Sequence, residues 1–290
     1  MMAEPVDRLS ALLERFHVRT RMSFAGPMCG KHVFAQDANK AYLHLLRRGS
    51  MEVRHPGAKG VPTRIKIDAP SLIFYPRPFT HHFHNAPRDG SDFTCAEIAF
   101  EGGEAHPIVR SLPTLVLLQL DEIDGLQESL NLLFAETEQV RCGRRVLADR
   151  LFEVVLIQLF RWLLDHPSQA KVNSGLLMGL SSPQLAKALT AMHESPGEPW
   201  SVDQLAEASG MSRTAFAVKF KQLVGQPPAD YVANLRLTIA QARLREGVPL
   251  KMLAGELGYS SQSALTRVFT ARLGVSPREW LSQRAEALVV

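Results

Sequence analysis

Apolar residues change their spacing along this chain, and each change predicts a different kind of structure. Over residues 1–112 they alternate with polar ones in short runs: AYLHLLRR (41–48), SMEVRH (50–55), TRIKID (63–68), SLIFYP (71–76) and DFTCAEIAF (92–100). Period-two runs punctuated by Pro and Gly predict an antiparallel barrel or sandwich. Over residues 113–165 the spacing becomes three and four. GLQESLNLLFAE and RRVLADRLFEVVLIQLFRWLLD therefore predict two helices, on an apolar stripe of Leu147, Leu151, Val154, Val155 and Leu159. Residues 166–181, HPSQAKVNSGLLMGLS, read as a linker with turn residues at both ends. From Ser182 to the end, residues 182–290, the pattern is helical throughout.

The helical part contains a repeat. Phe220, Gly225, Pro228 and Tyr231 recur 49 positions later as Phe269, Gly274, Pro277 and Trp280. In the first copy Ser201 and Gln204 form an N-cap with a reciprocal amide, and Gly210 supplies the positive φ of a tight turn. The next helix begins at Ser212 and buries Phe216, Phe220 and Leu223 on one stripe. Thr214, Ala217, Val218 and Lys221 project the other way, with Arg213 at the edge. In the second copy Leu265 and Phe269 are buried, leaving Gln262, Ser263, Thr266, Arg267 and Thr270 outward. Arg267 and Arg272 face no acidic residue before Glu279. This is the pattern of two helix-turn-helix units, whose second helices enter a groove. Gln, Ser, Thr and Arg suit base edges and phosphates. A solvated bundle face is the bland alternative for one such copy; two acid-free copies at a fixed separation weigh against it. Residues 229–246 predict a connecting helix about 27 Å long at ~1.5 Å per residue. That length matches two helices entering successive major grooves about 34 Å apart.

Residues 182–282 resemble the DNA-binding domain of the AraC/XylS family of bacterial transcription regulators. The match rests on ELGYSSQSALTRVFTARLGVSPREW, with its aromatic-Ser turn, its Phe and its Gly-x-x-Pro before an aromatic. The resemblance implies binding to double-stranded promoter DNA, with RNA polymerase as a further partner. It carries Arg213, Thr214 and Ala217 of the first unit, and Gln262, Ser263 and Arg267 of the second, onto the base-facing positions. The apolar Ala217 and Val218 depart from the commonest pattern and point to thymine-methyl contact. The first part resembles the cupin-like sensor domain of one branch of that family, on YLHLLRRGSMEV, YPRPFTHHFH and FTCAEIAF. The implied fold is an all-β cupin-like barrel followed by helices, then an all-α domain with two helix-turn-helix units. In related regulators the connecting helices form a dimer interface, so a homodimer is expected.

Composition adds bounds. The chain has 290 residues, 46% of them hydrophobic and 21% charged, with a net charge of +4. That length suits two domains. From residue 181 on there are 12 Lys and Arg against 9 Asp and Glu, a net of +3, so most of the small excess lies in the helical part. No apolar run reaches the ~18–20 residues of a membrane span, and MMAEPVDRLSALLERF lacks the order of a secretory signal. A cytoplasmic protein without membrane partners is expected, in which three cysteines (Cys29, Cys95, Cys142) do not make a disulfide scaffold.

The first domain carries Cys29, His44, His81, His82, His84 and Cys95. Cys29, His44, His81 and Cys95 would make a closed tetrahedral Zn2+ site, and Cys29 with Cys95 would make a redox pair. His81, five residues after Pro76, ranks first among the histidines because the sensor branch repeats that spacing. The bland reading is equally concrete: buried Cys is a small hydrophobe, and His near a Pro-rich loop is surface. Cys142 begins a helix among arginines and has no matching family position. The expected function is a DNA-binding transcription regulator that senses an oxidant, a metal or a small molecule. The alternative is a cupin-type metal-dependent enzyme fused to a DNA-binding domain. Against catalysis, the acids nearest HHFH, Asp89 and Asp92, have no strand spacing that completes a facial His-carboxylate set.

Overall fold

A computed structural model describes residues 6–37, 40–86, 88 and 90–287, with side chains as far as 283. Residues 1–5 and 288–290, at the ends of the two predicted domains, and Asp89 lie outside the described residues. The chain divides into two compact units, one of residues 16–178 and one of residues 1–15 with 179–290. The predicted barrel and its helices are thus one unit, and the first residues belong with the helical unit.

The described chain opens on a short helix, α1 (Ser10–Arg15). The sheet unit then follows, with strands β1 (Val18–Met28), β2 (Lys31–Phe34), β3 (Ala41–Arg48), β4 (Met51–Arg54), β5 (Arg64–Ile67), β6 (Ser71–Tyr75), β7 (His81–Asn85) and β8 (Ser91–Phe100). After a short helix α2 (Pro107–Ser111) comes β9 (Val116–Gln119), then helices α3 (Leu126–Glu138) and α4 (Arg144–Asp165). Two antiparallel sheets result, ordered β1-β8-β3-β6-β9 and β2-β7-β4-β5. Their inner faces enclose Met51, Val53, Ile73, Tyr75, Phe83, Phe93 and Cys95. The other face of the larger sheet is covered as well, because α4 packs on β1 and α3 on α4. Residues 41–46 are therefore buried on both faces, which is why AYLHLLRR reads as an apolar run more than as an alternation.

α4 is tied to β1 at a bulge. The register slips between Met22 and Phe24, and the freed Met22 amide donates to Asp149 Oδ1 at 2.6 Å. The expected long stripe on α4 divides. Leu151, Val155 and Leu159 are buried, while Leu147 and Val154 stay exposed.

The second unit continues with α5 (Leu176–Ser181), α6 (Pro183–Glu194), α7 (Val202–Ala208), α8 (Arg213–Val224), α9 (Pro228–Arg245), α10 (Leu250–Glu256), α11 (Gln262–Leu273) and α12 (Pro277–Ala287). The expected linker at 166–181 thus ends in helix α5. α1 packs on α6, where Arg15 donates from Nε to the His193 carbonyl at 3.0 Å and from Nη2 to that of Glu194 at 3.3 Å. Two carbonyls at a helix C-terminus that lack intrahelical donors are satisfied in this way. Among the described residues no helix is long and apolar enough to cross a membrane.

Candidate nucleic-acid interface and sensor site

The helix-turn-helix units are built by their caps. Ser201 accepts the Gln204 amide while the Gln204 side chain returns to the Ser201 amide, the reciprocal cap its sequence predicts. Gly210 takes φ +63° between α7 and α8, and Gly258 takes φ +72° between α10 and α11. Gly258 is also fixed by contact: a Cβ there would meet the Gly197 carbonyl oxygen at 2.0 Å. The Gly197 stretch is held in place by Arg236 of α9, whose Nε donates to the Pro196 carbonyl at 2.6 Å and Nη2 to that of Glu198 at 2.7 Å.

On α8 Phe216, Phe220 and Val224 are the buried stripe and Leu223 is half-buried. Val224, not Leu223, therefore ends that stripe. Of the predicted outward residues, Arg213, Thr214 and Lys221 are exposed, whereas Ala217 is half-buried. Ala215 and Gln222, missed in the sequence, are exposed too. At 100° per residue both lie beside Val218 on the side away from Thr214 and Lys221, and a full helical wheel finds them. On α11 Gln262, Ser263 and Arg267 are exposed. Thr266 is half-buried and its hydroxyl donates to the Gln262 carbonyl at 2.9 Å, so that oxygen is already engaged by its own helix. Arg272 is not an unpaired cation: it donates to Asp230 Oδ1 at 2.6 Å and Asn234 Oδ1 at 2.9 Å, clamping α11 to α9. Arg213 pairs with Asp203 at 3.1 Å. Among the described residues Arg267 and Lys221 enter no ion pair, so their charge is available to an anionic partner.

In the sheet unit His44 and His81 meet between the sheets. Their Nε2 atoms lie 2.9 Å apart, inside a cage of Phe34, Tyr42, Tyr75 and Phe83. His81 Nδ1–H donates to the Phe79 carbonyl at 3.0 Å, so its Nε2 carries the lone pair and accepts the His44 Nε2–H. His44 Nδ1 is then an acceptor buried without a donor. Burial first, and the neighbouring imidazole second, hold His44 well below its ordinary pKa; burial pushes His81 down to about 3. Alongside, His55 donates from Nδ1 to the Pro62 carbonyl at 2.5 Å and accepts the Tyr75 hydroxyl at 2.7 Å.

The four predicted zinc ligands are not brought together. Cys95 is the register partner of His44 on the adjacent strand, facing the same interior, and burial raises its thiol pKa. Cys29 follows Met28, which pairs with Ser91, four strand positions from Cys95. That interval is about 13 Å at ~3.3 Å per residue, beyond the reach of a disulfide or a shared ion. Its exposed thiol instead lies by the Arg88 carbonyl, 3.8 Å away. His82 and His84 are on the opposite face of β7 from His81, beside Arg54 and Glu52 of β4. Among the described residues no three His, Cys, Asp or Glu are placed to hold a metal. A metal between the two Nε2 atoms would also move the His44 proton to Nδ1, where it has no acceptor. The residues present do not fit a closed zinc site.

In front of the histidine pair is an open cavity of about 490 Å³ lined by Phe24, Met28, Val33, Phe34, Tyr42 and, at its polar rim, Ser23, His32, Asp37 and Glu97. Phe34 and Tyr42 touch both this cavity and His44 and His81. Lys40 neutralises the rim acids, at 3.2 Å from Asp37 and 3.1 Å from Glu97.

Residues 7–165 match the family described as Cupin, and residues 205–283 match a helix-turn-helix domain. A putative AraC-like transcription regulator of Streptomyces antibioticus is 35% identical over 158 residues, 54% of this chain and 52% of that one. The RCS-specific HTH-type transcriptional activator RclR of Escherichia coli is 26% identical over 243 residues, 82% of each chain. A crystal structure of an AraC-type DNA-binding domain-containing regulator from Chromobacterium violaceum is 31% identical, covering 36% of this chain and 93% of that one at a TM-score of 0.33. The chain spans about half the length of the first curated relatives it matches, 52% and 56%.

Proposed function

Because this chain belongs to the cupin family and ends in a helix-turn-helix domain of AraC type, we propose that it is a sequence-specific, DNA-binding transcription regulator whose cupin unit senses a small molecule. The observation that carries the DNA reading is the matched pair of twelve-residue helices, α8 and α11, each free of acidic side chains. Lys221 and Arg267 supply charge on these helices, and Gln262 and Ser263 supply hydrogen-bonding groups for base edges or phosphates. The relatives above carry the names of regulators, which favours regulation over catalysis.

The sensed molecule is one that fits the Phe24–Phe34–Tyr42 cavity. Its volume lies in the ~300–1,000 Å³ range of ligand pockets, and its aromatic floor with a polar rim suits an amphipathic compound with an apolar body and hydrogen-bonding groups. Phe34 and Tyr42 would pass a shift of the ligand to the His44–His81 pair behind them. An oxidant acting on the exposed Cys29 thiol is the second reading, favoured by the accessibility of that residue. The exposed Leu147 and Val154 of α4 would support a homodimer, and RNA polymerase would be the partner of a regulator bound at a promoter. No zinc-dependent step enters this reading.

The test is a selection of genomic fragments by the purified full-length protein, repeated with the Lys221→Ala/Arg267→Ala double variant. The reading expects a small set of enriched fragments that the double variant no longer retains. Equal retention of all fragments by both proteins would refute sequence-specific recognition.

A further inference from the structure

Position by position, α8 and α11 are one helix written twice. Each begins on a serine whose hydroxyl accepts an amide, Ser212 from Ala215 and Ser261 from Ala264, and each ends on a left-handed glycine, Gly225 or Gly274. Each buries an aromatic at the same turn, Phe220 or Phe269. The constant offset of 49 residues therefore pairs Val218 with Arg267, both opposite the buried stripe. Their chemistry is opposite. Arg267 presents an exposed guanidinium with five donors. Val218 is a branched hydrocarbon, 64% exposed, in an open hollow with Met211, Thr214, Ala215 and Leu223. The other cations of its helix are engaged, Arg213 by Asp203 and Lys219 by Gln184, which leaves Lys221, one turn on, at the flank.

We propose that the two units read different base chemistry: Val218 packs on the C5 methyl of a thymine, while Arg267 donates to O6 and N7 of a guanine. A lone exposed Val is ordinary on a protein surface. Here it stands at the centre of a face that enters the major groove, where an aliphatic side chain has one favourable partner, the thymine methyl. Cytosine at the same place offers an N4 donor that Val would desolvate without a partner. The operator is then asymmetric, with a thymine under the first unit and a guanine under the second, and that asymmetry fixes the orientation in which the chain binds. This inference rests on the DNA-binding reading above.

The experiment selects binding sites from a random duplex pool with the full-length protein, then replaces each thymine by deoxyuridine and each guanine by 7-deazaguanine. Removing the critical methyl should weaken binding about fourfold, and Val218→Ala should abolish that sensitivity. Removing the critical N7 should weaken binding by about three- to tenfold, a sensitivity absent in Arg267→Ala. Val218→Arg should move the preferred base at that position from thymine to guanine. Tolerance of deoxyuridine at every thymine, or sensitivity that survives Val218→Ala, overturns the inference while leaving DNA binding intact. A Val218→Ala variant that binds normally but no longer activates transcription gives the hollow to a protein partner, which also overturns it. A protein that enriches no sequence overturns the DNA-binding reading itself.

Discussion

Acidification should destabilise the sheet unit well before most carboxylates titrate. His44, His81 and His106 are fully buried, and burial keeps each imidazole neutral, His81 down to about 3 and His106 to about 4, with His44 also well below its ordinary value. In the unfolded chain a histidine titrates near ~6.5. Each folded pKa is thus below the unfolded one. Below pH ~6.5 the unfolded state binds protons that the folded state refuses, and stability present above that pH is lost as pH falls. Between pH 7.5 and 5.5 each such group costs about 1.4 kcal/mol, so the three together cost about 4 kcal/mol. That is a large part of the ~5–15 kcal/mol of a typical domain. The assay is urea unfolding of a Trp200→Phe/Trp280→Phe protein, in which Trp162 of α4 remains as the reporter of the sheet unit. With a slope of about 2 kcal/mol per molar, the midpoint should fall by about 2 M over this range. His106→Asn retains a side chain able to cap α2, where His106 accepts the Ile108 amide at 3.2 Å, and should remove about one third of the pH dependence. A midpoint that does not move between pH 7.5 and 5.5 would refute the argument.

On a selected operator, Arg267→Ala should cost ~1–3 kcal/mol and relax discrimination at one base pair. Lys221→Ala should weaken binding to all sequences alike and lower the salt slope by about 1, read from a titration in added salt. Gly258→Ala should destabilise the helical unit by more than the ~1–2 kcal/mol of a left-handed residue, because its Cβ would strike the Gly197 carbonyl; Gly210→Ala, with nothing within 4 Å, should cost no more than that range. Thermal melts of the two variants side by side decide this. Alkylation of the native protein should label Cys29 and Cys142, which are exposed, and spare Cys95, which is buried; mass mapping that finds a Cys29–Cys95 disulfide after mild oxidation would contradict the strand register.

The helix-turn-helix units were legible because local rules decide them. Serine caps, glycine turns and an i, i+4 stripe sit within a few residues of one another, and the repeat states them twice. One reading there changes with a tertiary contact: Arg272 reads as an unpaired cation until α9 brings Asp230 and Asn234 beside it. β1, β2 and β9 lacked a clean alternation. β1 contains Gly26 and Pro27 and carries a bulge at Ser23, which breaks the period. The histidine pair was legible as residue types but not as a pair. His44 and His81 are 37 residues apart, and only the facing of two sheets joins them. The same long-range geometry separates Cys29 from Cys95, which sequence alone had placed together.

Hydroxyl-radical footprinting of the full-length protein on a selected operator tests the central claim most directly. Two helices of matched register, joined by α9, should protect two segments on one face of the duplex, centred about 10 base pairs apart. Lys221→Ala should weaken the first segment and Arg267→Ala the second. A single protected segment, or protection spread evenly along the duplex, would contradict reading by two units in one chain.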